Sequence, residues 1–391
     1  MMADHSTIRV GVIGAGFIGP AHIESLRRLG GVAVLALAGR DQESAERKAA
    51  ALGIPRAYGD YLKLIADPDL DVVHICSPNR DHFPAAKAAL AAGKHVMCEK
   101  PLGMTSVESK ELVALAEASG LAHAVTFNQR FYPLIQQART MIQRGDLGDI
   151  FLVHGGFWQD WLLFDTDYNW RVEGAAGGAL RAVGDLGSHW IDLAQFLTGL
   201  PVHKVLADLM TFLPVRQKPE QAIEAFSTRD VPRTPVSMDT EDAATVLLGL
   251  GERVRGLMQV SQVSAGRKCK LEIEVNGSRG SLAWNAERPN ELWIGHRDAP
   301  NQLLLKDPSL MDPPAATIAR YPGGHDEGFA DSHTAINRAL YTFIRSGGYG
   351  AGQQPTYPTF VDGHRENLIA DAVLASARDE RWVSVDVPPL R

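Results

Sequence analysis

Continuous apolar runs alternate with amphipathic stretches through the first third of the chain. Ile8–Ile13 leads into a helical stretch ending near Leu29, followed by Val32–Ala38 and a helix over Gln42–Leu52. Val72–Cys76, Phe83–Ala92, Val96–Cys98, Val107–Ser119 and Ala122–Phe127 continue the alternation. Strands that are apolar throughout are buried on both faces, so this region is expected to be a parallel sheet with helices on each side. Pro20 falls in the first turn of its helix, where a missing N–H costs little.

After about Asn128 the pattern changes. A helix over Leu134–Gln143 leads into a strand at Ile150–Phe157. Apolar and polar positions then alternate with period two through Ala244–Leu250, a Gly251-Glu252 turn, and Val254–Val263. Leu271–Val275, the turn Asn276-Gly277-Ser278, Gly280–Trp284 and Leu292–Ile294 follow the same rule. Such alternation across short turns predicts an antiparallel sheet with one covered face. Pro214–Pro235 and Pro308–Pro322 read as long loops, of the kind that often serve as lids or binding loops. His364–Ala377 reads as a helix and Trp382–Val387 as a final strand. The expected architecture is an α/β domain over 1–128 with a parallel sheet. An α+β domain over 129–391 follows, with a large open-faced, mostly antiparallel sheet. Its uncovered face suggests a homo-oligomer, a dimer or tetramer.

Composition narrows the class. The chain has 391 residues, 45% apolar and 22% charged, as in soluble globular proteins. Its net charge is −7 with no block of like charges, so no nucleic-acid or membrane-surface partner is expected. Cys76, Cys98 and Cys269 are scattered with no C-x-x-C, which argues for a reducing compartment and against a disulfide framework or a metal. No apolar stretch reaches membrane-spanning length, and strand one begins within a few residues of the start. A cytoplasmic location is expected.

Four stretches carry chemistry. Gly14-x-Gly16-x-x-Gly19 sits between a strand and a helix, where glycines let backbone N–H groups approach a pyrophosphate at a helix N-terminus. This is the fingerprint of a Rossmann dinucleotide site. The second strand ends Leu37-Ala-Gly39-Arg40-Asp41. A carboxylate there suits the ribose 2′-hydroxyl of NAD and an arginine the 2′-phosphate of NADP. Arg40 tilts the choice toward NADP, while Asp41 could serve instead and Arg40 could be a solvated surface charge. Lys100, in Cys98-Glu-Lys-Pro101, follows a later strand of the same sheet, and ligands of such sheets sit beyond the strands' carboxyl ends. An ammonium there can stabilise charge on a reacting oxygen. In Gly184-Asp185-Leu-Gly-Ser-His189-Trp-Ile-Asp192, an α-helix would put Asp185, His189 and Asp192 on one face. A histidine can take an alcohol's proton as its C–H departs as hydride. The ordinary alternative is a helix cap and a satisfied core histidine.

Gly14–Gly19, Glu99-Lys100-Pro101 and Asp185-x-x-x-His189, with Ser77-Pro78-Asn79, His82, Phe127-Asn128-Gln-Arg130-Phe and the closing Pro358–Trp382 segment, resemble the Gfo/Idh/MocA oxidoreductases, while Gly39-Arg40 departs from the acidic ending of NAD-type members. That family includes glucose-fructose oxidoreductase and inositol dehydrogenase, and the resemblance spans nearly the whole chain. It implies an active site between the two domains, with Lys100, Asp185 and His189 as the catalytic group. It also implies that Ser77, Asn79, His82, Glu99 and Asn128 line the nicotinamide side. The full set expected to bind NAD(P) is Gly14, Gly16, Phe17, Ile18, Gly39, Arg40, Ser77, Pro78, Asn79, His82, Glu99, Lys100, Asn128, Trp170 and Arg171. Gln159-Asp160-Trp161, Trp170-Arg171 and Gly177–Leu180 look most like the levoglucosan dehydrogenase branch, which oxidises a pyranose ring hydroxyl to a ketone. Indole faces stack on sugar C–H faces while charged and amide groups take hydroxyls. The expected substrate side is therefore Lys100, Gln159, Trp161, Arg171, Asp185, His189 and His325. His325 resembles a family position near the substrate, although His325-Asp-Glu327 also suits a capped helix start. The expected function is an NAD(P)-dependent dehydrogenase of a neutral sugar such as levoglucosan, glucose or a glucoside. The alternatives are an inositol or sugar-acid dehydrogenase, and a catalytically silent cofactor-sensing regulator on the same fold. The presence of Lys100, Asp185 and His189 argues against a regulator, which needs none of them.

Overall fold

The computed structural model describes residues 7–221 and 231–390. In chain order the first elements are β1 (Ile8–Ile13), α1 (Ile18–Arg27), β2 (Val32–Ala38), α2 (Gln42–Leu52), β3 (Arg56–Tyr58) and α3 (Tyr61–Ile65). Then come β4 (Val72–Ile75), α4 (His82–Ala91), β5 (His95–Cys98), α5 (Ser106–Ser119) and β6 (His123–Val125). These six strands form one parallel sheet in the order β3-β2-β1-β4-β5-β6. Their apolar side chains explain it: Val10, Val12, Leu37, Val72, Val73, Ile75, Val96 and Met97 are all fully buried. The order reverses between β1 and β4, which is where sheets of this kind open a crevice at the strands' carboxyl ends.

The chain continues with α6 (Pro133–Arg144), β7 (Ile150–Trp158), α7 (Gly174–Gly177), a π-helical turn (Val183–Gly187) and α8 (Ser188–Thr198). β8 (Val202–Met210), β9 (Val215–Pro219), β10 (Arg233–Ser237), β11 (Ala243–Leu250), β12 (Val254–Ser261) and β13 (Lys270–Gly277) come next. The last elements are β14 (Ser281–Asn285), β15 (Glu291–Gly295), β16 (Gln302–Leu305), α9 (Pro313–Ala316), α10 (Phe329–Arg345), α11 (Phe360–Asp379) and β17 (Val383–Ser384). Nine of these strands make a second sheet, β16-β15-β14-β13-β7-β12-β11-β8-β17, in which only β7 and β12 run parallel. One face packs on α6 and α8 through Val153, Trp190, Leu193, Val246, Leu248, Met258 and Ile273. The other face carries the row Leu206–Leu247–Leu257–His154–Glu274, with Leu247 39% and Leu257 43% exposed.

Two differences from the sequence expectations have physical causes. The described residues form two compact units, one up to Thr126 together with His333–Asn367, the other Phe127–Ser332 with the residues from Leu368 onward. A single second domain over 129–391 was expected, but His333–Asn367 packs against the first sheet. Tyr341 meets His74 there, and Gly363 lies so close to Leu102 and Val125 that a Cβ would come within 2.8 Å of each. Pro214–Pro235 is not simply a loop, because β9 and β10 pair antiparallel within it. Residues 222–230 of that segment lie outside the described residues. Arg216 on β9 is fully buried and donates to the carbonyl oxygens of Leu162, Phe164 and Asp167, which anchors this hairpin. No helix among the described residues is long and apolar enough to cross a membrane.

Candidate active site

In the first unit the glycine fingerprint forms a cradle. Gly14 has φ near +95°, and a Cβ there would meet the Cys76 carbonyl oxygen at 2.5 Å. A Cβ on Gly19 would meet the Gly14 carbonyl oxygen at 2.2 Å, so glycine is needed at both positions. Gly16 is different: nothing lies within 4 Å of where its Cβ would be. The loop between β1 and α1 is thus packed tightly behind and open in front, as a pyrophosphate cradle requires. Lys48 on α2 ties the loop down by donating to the Ala15 carbonyl at 2.8 Å, and Phe17 is 60% exposed at the helix entrance beside Ile18. Ser77, on the loop after β4, has a buried hydroxyl with no hydrogen-bond partner. A buried hydroxyl left unsatisfied next to an open glycine cradle is consistent with a polar ligand there. These residues fit a dinucleotide.

His82 braces the crevice floor. Its Nδ1 lies 2.7 Å from the Pro101 carbonyl oxygen and its Nε2 3.0 Å from that of Ser77, linking the loops that carry Ser77-Pro78-Asn79 and Glu99-Lys100. Burial pushes its proton affinity below the usual range, against the pull of those carbonyls. At the end of β2, Gly39 leaves only 3.0 Å between a would-be Cβ and Ala45. Arg40 extends into solvent with its side chain 73% exposed and its Nε 3.3 Å from Asp41. Asp41 has a structural task, since its Oδ1 accepts from the Ser44 N–H and caps α2. That hydrogen bond and the adjacent Arg40 hold its carboxyl below the usual range.

In the second unit Arg171 and Gln262 meet Asp185, and Trp161, Trp170 and Gln159 connect to it through Arg171. Arg171 Nε lies 3.4 Å from Asp185 Oδ1, and Gln262 donates to Asp185 Oδ2 at 3.0 Å. The Arg171 guanidinium stands 4.4 Å from the Trp170 ring and 5.8 Å from that of Trp161. Trp161 Nε1 donates to Gln159 at 2.7 Å. A carboxylate fixed by two donors keeps lone pairs for a third, and two indoles stand against the guanidinium that holds it. Asp160 is engaged elsewhere, by Lys268 and the Gly266 N–H. His189 lies between Phe127 and Phe157, with ring centroids at 6.0 and 6.4 Å. Asn128, also in this unit, is buried and donates to Ser332 at 2.9 Å.

The helical spacing drawn through Asp185, His189 and Asp192 needs correction. Asp185 stands in the π turn Val183–Gly187, whose wider i→i+5 bonding shifts it from the α-helical face of the residues that follow. Asp192 is buried in a bidentate pair with Arg130. His325 stands exposed on the loop before α10, where Asp331 caps the turn by accepting from the Gly328 N–H. That loop is organised from beneath: Lys306, 3% exposed, donates to the Tyr321, Pro322 and His325 carbonyls and pairs with buried Glu327. Gln262 was missed because it ends an apolar strand run with no spacing to mark it. The described residues contain no cluster of three or more His, Cys, Asp or Glu suited to a metal ion.

Comparison with known proteins matches both halves. A family model described as an oxidoreductase family with an NAD-binding Rossmann fold matches residues 8–127, and the GFO/IDH/MocA C-terminal domain matches residues 135–283. The chain is 29% identical to levoglucosan dehydrogenase of Pseudarthrobacter phenanthrenivorans, over 98% of this chain and 99% of that one. It is 30% identical to trans-1,2-dihydrobenzene-1,2-diol dehydrogenase of Bos taurus over 76% of this chain and 78% of the relative. Among solved structures, levoglucosan dehydrogenase in complex with NADH and L-sorbose superposes with a TM-score of 0.87 at 28% identity, covering 98% of this chain and 100% of that one. An inositol dehydrogenase homologue from Azotobacter vinelandii with NADH and myo-inositol gives 0.84 at 28% identity, over 97% and 98%.

Proposed function

The chain belongs to the Gfo/Idh/MocA oxidoreductases, and from that premise we propose that it oxidises a ring hydroxyl of a neutral sugar to a ketone. The observation that carries the sugar assignment is the Asp185 cluster, a partly buried carboxylate held by Arg171 and Gln262, with Trp161 and Trp170 packed against the Arg171 guanidinium. Indole faces suit the C–H faces of a pyranose, and the fixed carboxylate accepts a hydroxyl proton. Arg171 is already neutralised by Asp185, so a phosphorylated sugar would find no spare arginine in the cluster and a repelling carboxylate. NAD(P) supplies the hydride acceptor when bound. Lys100 hydrogen-bonds the reacting oxygen and stabilises the developing alkoxide. His189 takes the hydroxyl proton, and Asp185 orients the substrate. The reverse reduction uses the same groups.

Support for a sugar also comes from the relative named levoglucosan dehydrogenase and from solved complexes of similar proteins with L-sorbose or myo-inositol. The last favours an inositol as the second reading. Absorbance at the reduced-nicotinamide band over a panel of sugars, inositols and sugar phosphates tests this, with turnover expected for levoglucosan, glucose or a glucoside. Trp161→Ala should act mainly on KM, because stacking is present before and during reaction. Activity confined to phosphorylated sugars would refute the proposal.

For the cofactor we infer that NADP binds at least as well as NAD, because Arg40 is exposed at the β2 terminus and Asp41 is occupied as a helix cap. The NADH bound in related structures argues for the opposite preference. Arg40→Ala should weaken NADP about tenfold, the lower end for a charge-assisted contact at an exposed site, and leave NAD nearly unchanged. Nucleotide fluorescence titration decides it, and a strong NAD preference in the unaltered protein sinks it. The uncovered Leu206–Leu247–Leu257 row supports a homo-oligomer through the second sheet. The free thiols Cys76, Cys98 and Cys269 accord with a cytoplasmic location.

A further inference from the structure

Behind Lys100 lies a chain of buried polar groups that the proposed reaction does not use. Glu99 Oε1 is 2.9 Å from His22 Nε2, His22 Nδ1 is 2.8 Å from His74 Nδ1, and His74 Nε2 is 2.9 Å from the Tyr341 hydroxyl. His22, His74 and Tyr341 are 0% exposed and Glu99 7%. The other oxygen of Glu99 is 3.3 Å from the Lys100 backbone N–H. The four groups come from α1, β4, the residue after β5 and α10, all in the first unit.

Proton counting fixes the direction of the chain. Three hydrogen bonds need three protons, one in each. A Tyr341 hydroxyl, two neutral imidazoles and an ionised Glu99 hold three between them. Tyr341 then donates to His74, His74 to His22 and His22 to Glu99, with each imidazole lone pair facing a proton. An imidazolium at His22 would turn His74 around to donate to Tyr341 and leave the buried hydroxyl proton without this acceptor, a costly outcome. The chain therefore carries one net negative charge, at the end beside Lys100.

We propose that His22, His74 and Tyr341 are positioning residues whose hydrogen-bond chain locks Glu99 as an anion and thereby fixes the backbone and charge setting of Lys100. This rests on the assignment of Lys100 to the reacting oxygen. Burial alone would raise the proton affinity of Glu99, but the His22 hydrogen bond leads the opposing influences and the carboxyl is held down at about 2. Burial keeps His74 neutral far below its usual range, and His333, edge-on to His22 with centroids 5.3 Å apart, is pushed down to about 3. The remaining titratable groups that influence Glu99 or feel it are Lys100, His82, Cys76 and Cys98. Burial raises both thiols, which stay neutral. Lys100 is the cation among the groups that stabilise the Glu99 anion. Because Tyr341 is fully buried, the chain ends without a path to solvent and acts as a lock rather than a proton exit.

The sign follows from linkage: a carboxyl held below its usual range stays ionised at mild acidity, and loses that protection when its donor is removed. The experiment follows the Glu99 side-chain carboxyl by 13C NMR in the cofactor-free protein, alongside kcat against pH. His22→Leu should raise the Glu99 titration midpoint by roughly 1–3 units and lower kcat across the pH profile. His22→Gln, which keeps a donor toward Glu99, should restore most of the shift. Tyr341→Phe, a milder change that guards against a folding failure at position 22, should move the midpoint less and in the same direction. An unmoved midpoint in His22→Leu and Tyr341→Phe overturns the lock. A moved midpoint with an unmoved kcat profile overturns its bearing on Lys100. Full turnover in Lys100→Met instead removes the premise, and leaves the carboxyl titration standing on its own.

Discussion

Lys100→Met and His189→Ala should each lower kcat by about 10²–10⁴-fold while the protein stays folded and still binds the dinucleotide. Lys100 follows β5 at the crevice end of the parallel sheet, one residue from the buried and hydrogen-bonded Glu99. A methionine keeps the length and removes the charge, so the change falls on transition-state charge and spares packing. His189 is 9% exposed between two phenylalanines, and alanine there empties a small space without leaving a charge behind. The two losses should fall on kcat and kcat/KM together, as expected for interactions formed in the transition state. Steady-state kinetics with a competent sugar measures this, and circular dichroism with nucleotide titration checks the fold and the cofactor. Near-unaltered turnover in either variant removes that residue from the mechanism and revives the cofactor-sensing alternative.

Much of this site is legible in the sequence because it depends on local rules. Gly14, Gly16 and Gly19 are read from their spacing between a strand and a helix, and the structure supplies the reason: a Cβ at Gly14 or Gly19 would meet backbone at 2.5 or 2.2 Å, while Gly16 faces open space. The parallel sheet is read from uninterrupted apolar runs, and the second sheet from period-two alternation. What escapes is non-local. His22, His74 and Tyr341 sit at positions that look like ordinary helix and strand interior, and only the fold brings residues 22, 74 and 341 within hydrogen-bond reach. The π turn at Val183–Gly187 leaves no mark in the hydrophobic pattern, so α-helical spacing does not carry from Asp185 through it to Asp192. The β9–β10 hairpin hides for a different reason. Pro219 and Pro235 argue against strands by propensity, yet an isolated two-stranded sheet leaves N–H positions outside the ladder where proline is tolerated. Arg216 then fixes that hairpin through contacts that no periodicity reveals.

Asp242 tests how far that fixing matters. Its Oδ1 accepts from buried Arg216 at 2.7 Å and from buried Arg181, and its Oδ2 accepts from the Leu213 N–H at 2.8 Å. All three side chains are 2% exposed or less. Burial disfavours the carboxylate, but the Leu213 N–H and the two guanidiniums outweigh it and hold the group below its usual range. Asp242→Ala would leave two desolvated guanidiniums with only neutral acceptors, a loss of about 3–5 kcal/mol. For a unit of this size that corresponds to a fall in Tm of roughly 6–20 °C. Lys268→Ala is the contrast, since Lys268 is 80% exposed in its pair with Asp160 and such pairs contribute at most about 1 kcal/mol. Replacing Asp242, Arg181 and Arg216 together by apolar residues of similar volume should recover much of the loss, because the charge left uncompensated is the source of the cost. A functional effect should accompany the thermal one. Arg216 holds the carbonyls of Leu162, Phe164 and Asp167, the segment that leads from Trp161 to Trp170 and Arg171. Below its unfolding temperature, Asp242→Ala should therefore raise KM for the sugar more than it lowers kcat. Calorimetry and steady-state kinetics on the same preparation measure both, and a Tm within about 2 °C of the unaltered protein would mean that the network is not desolvated as its burial implies.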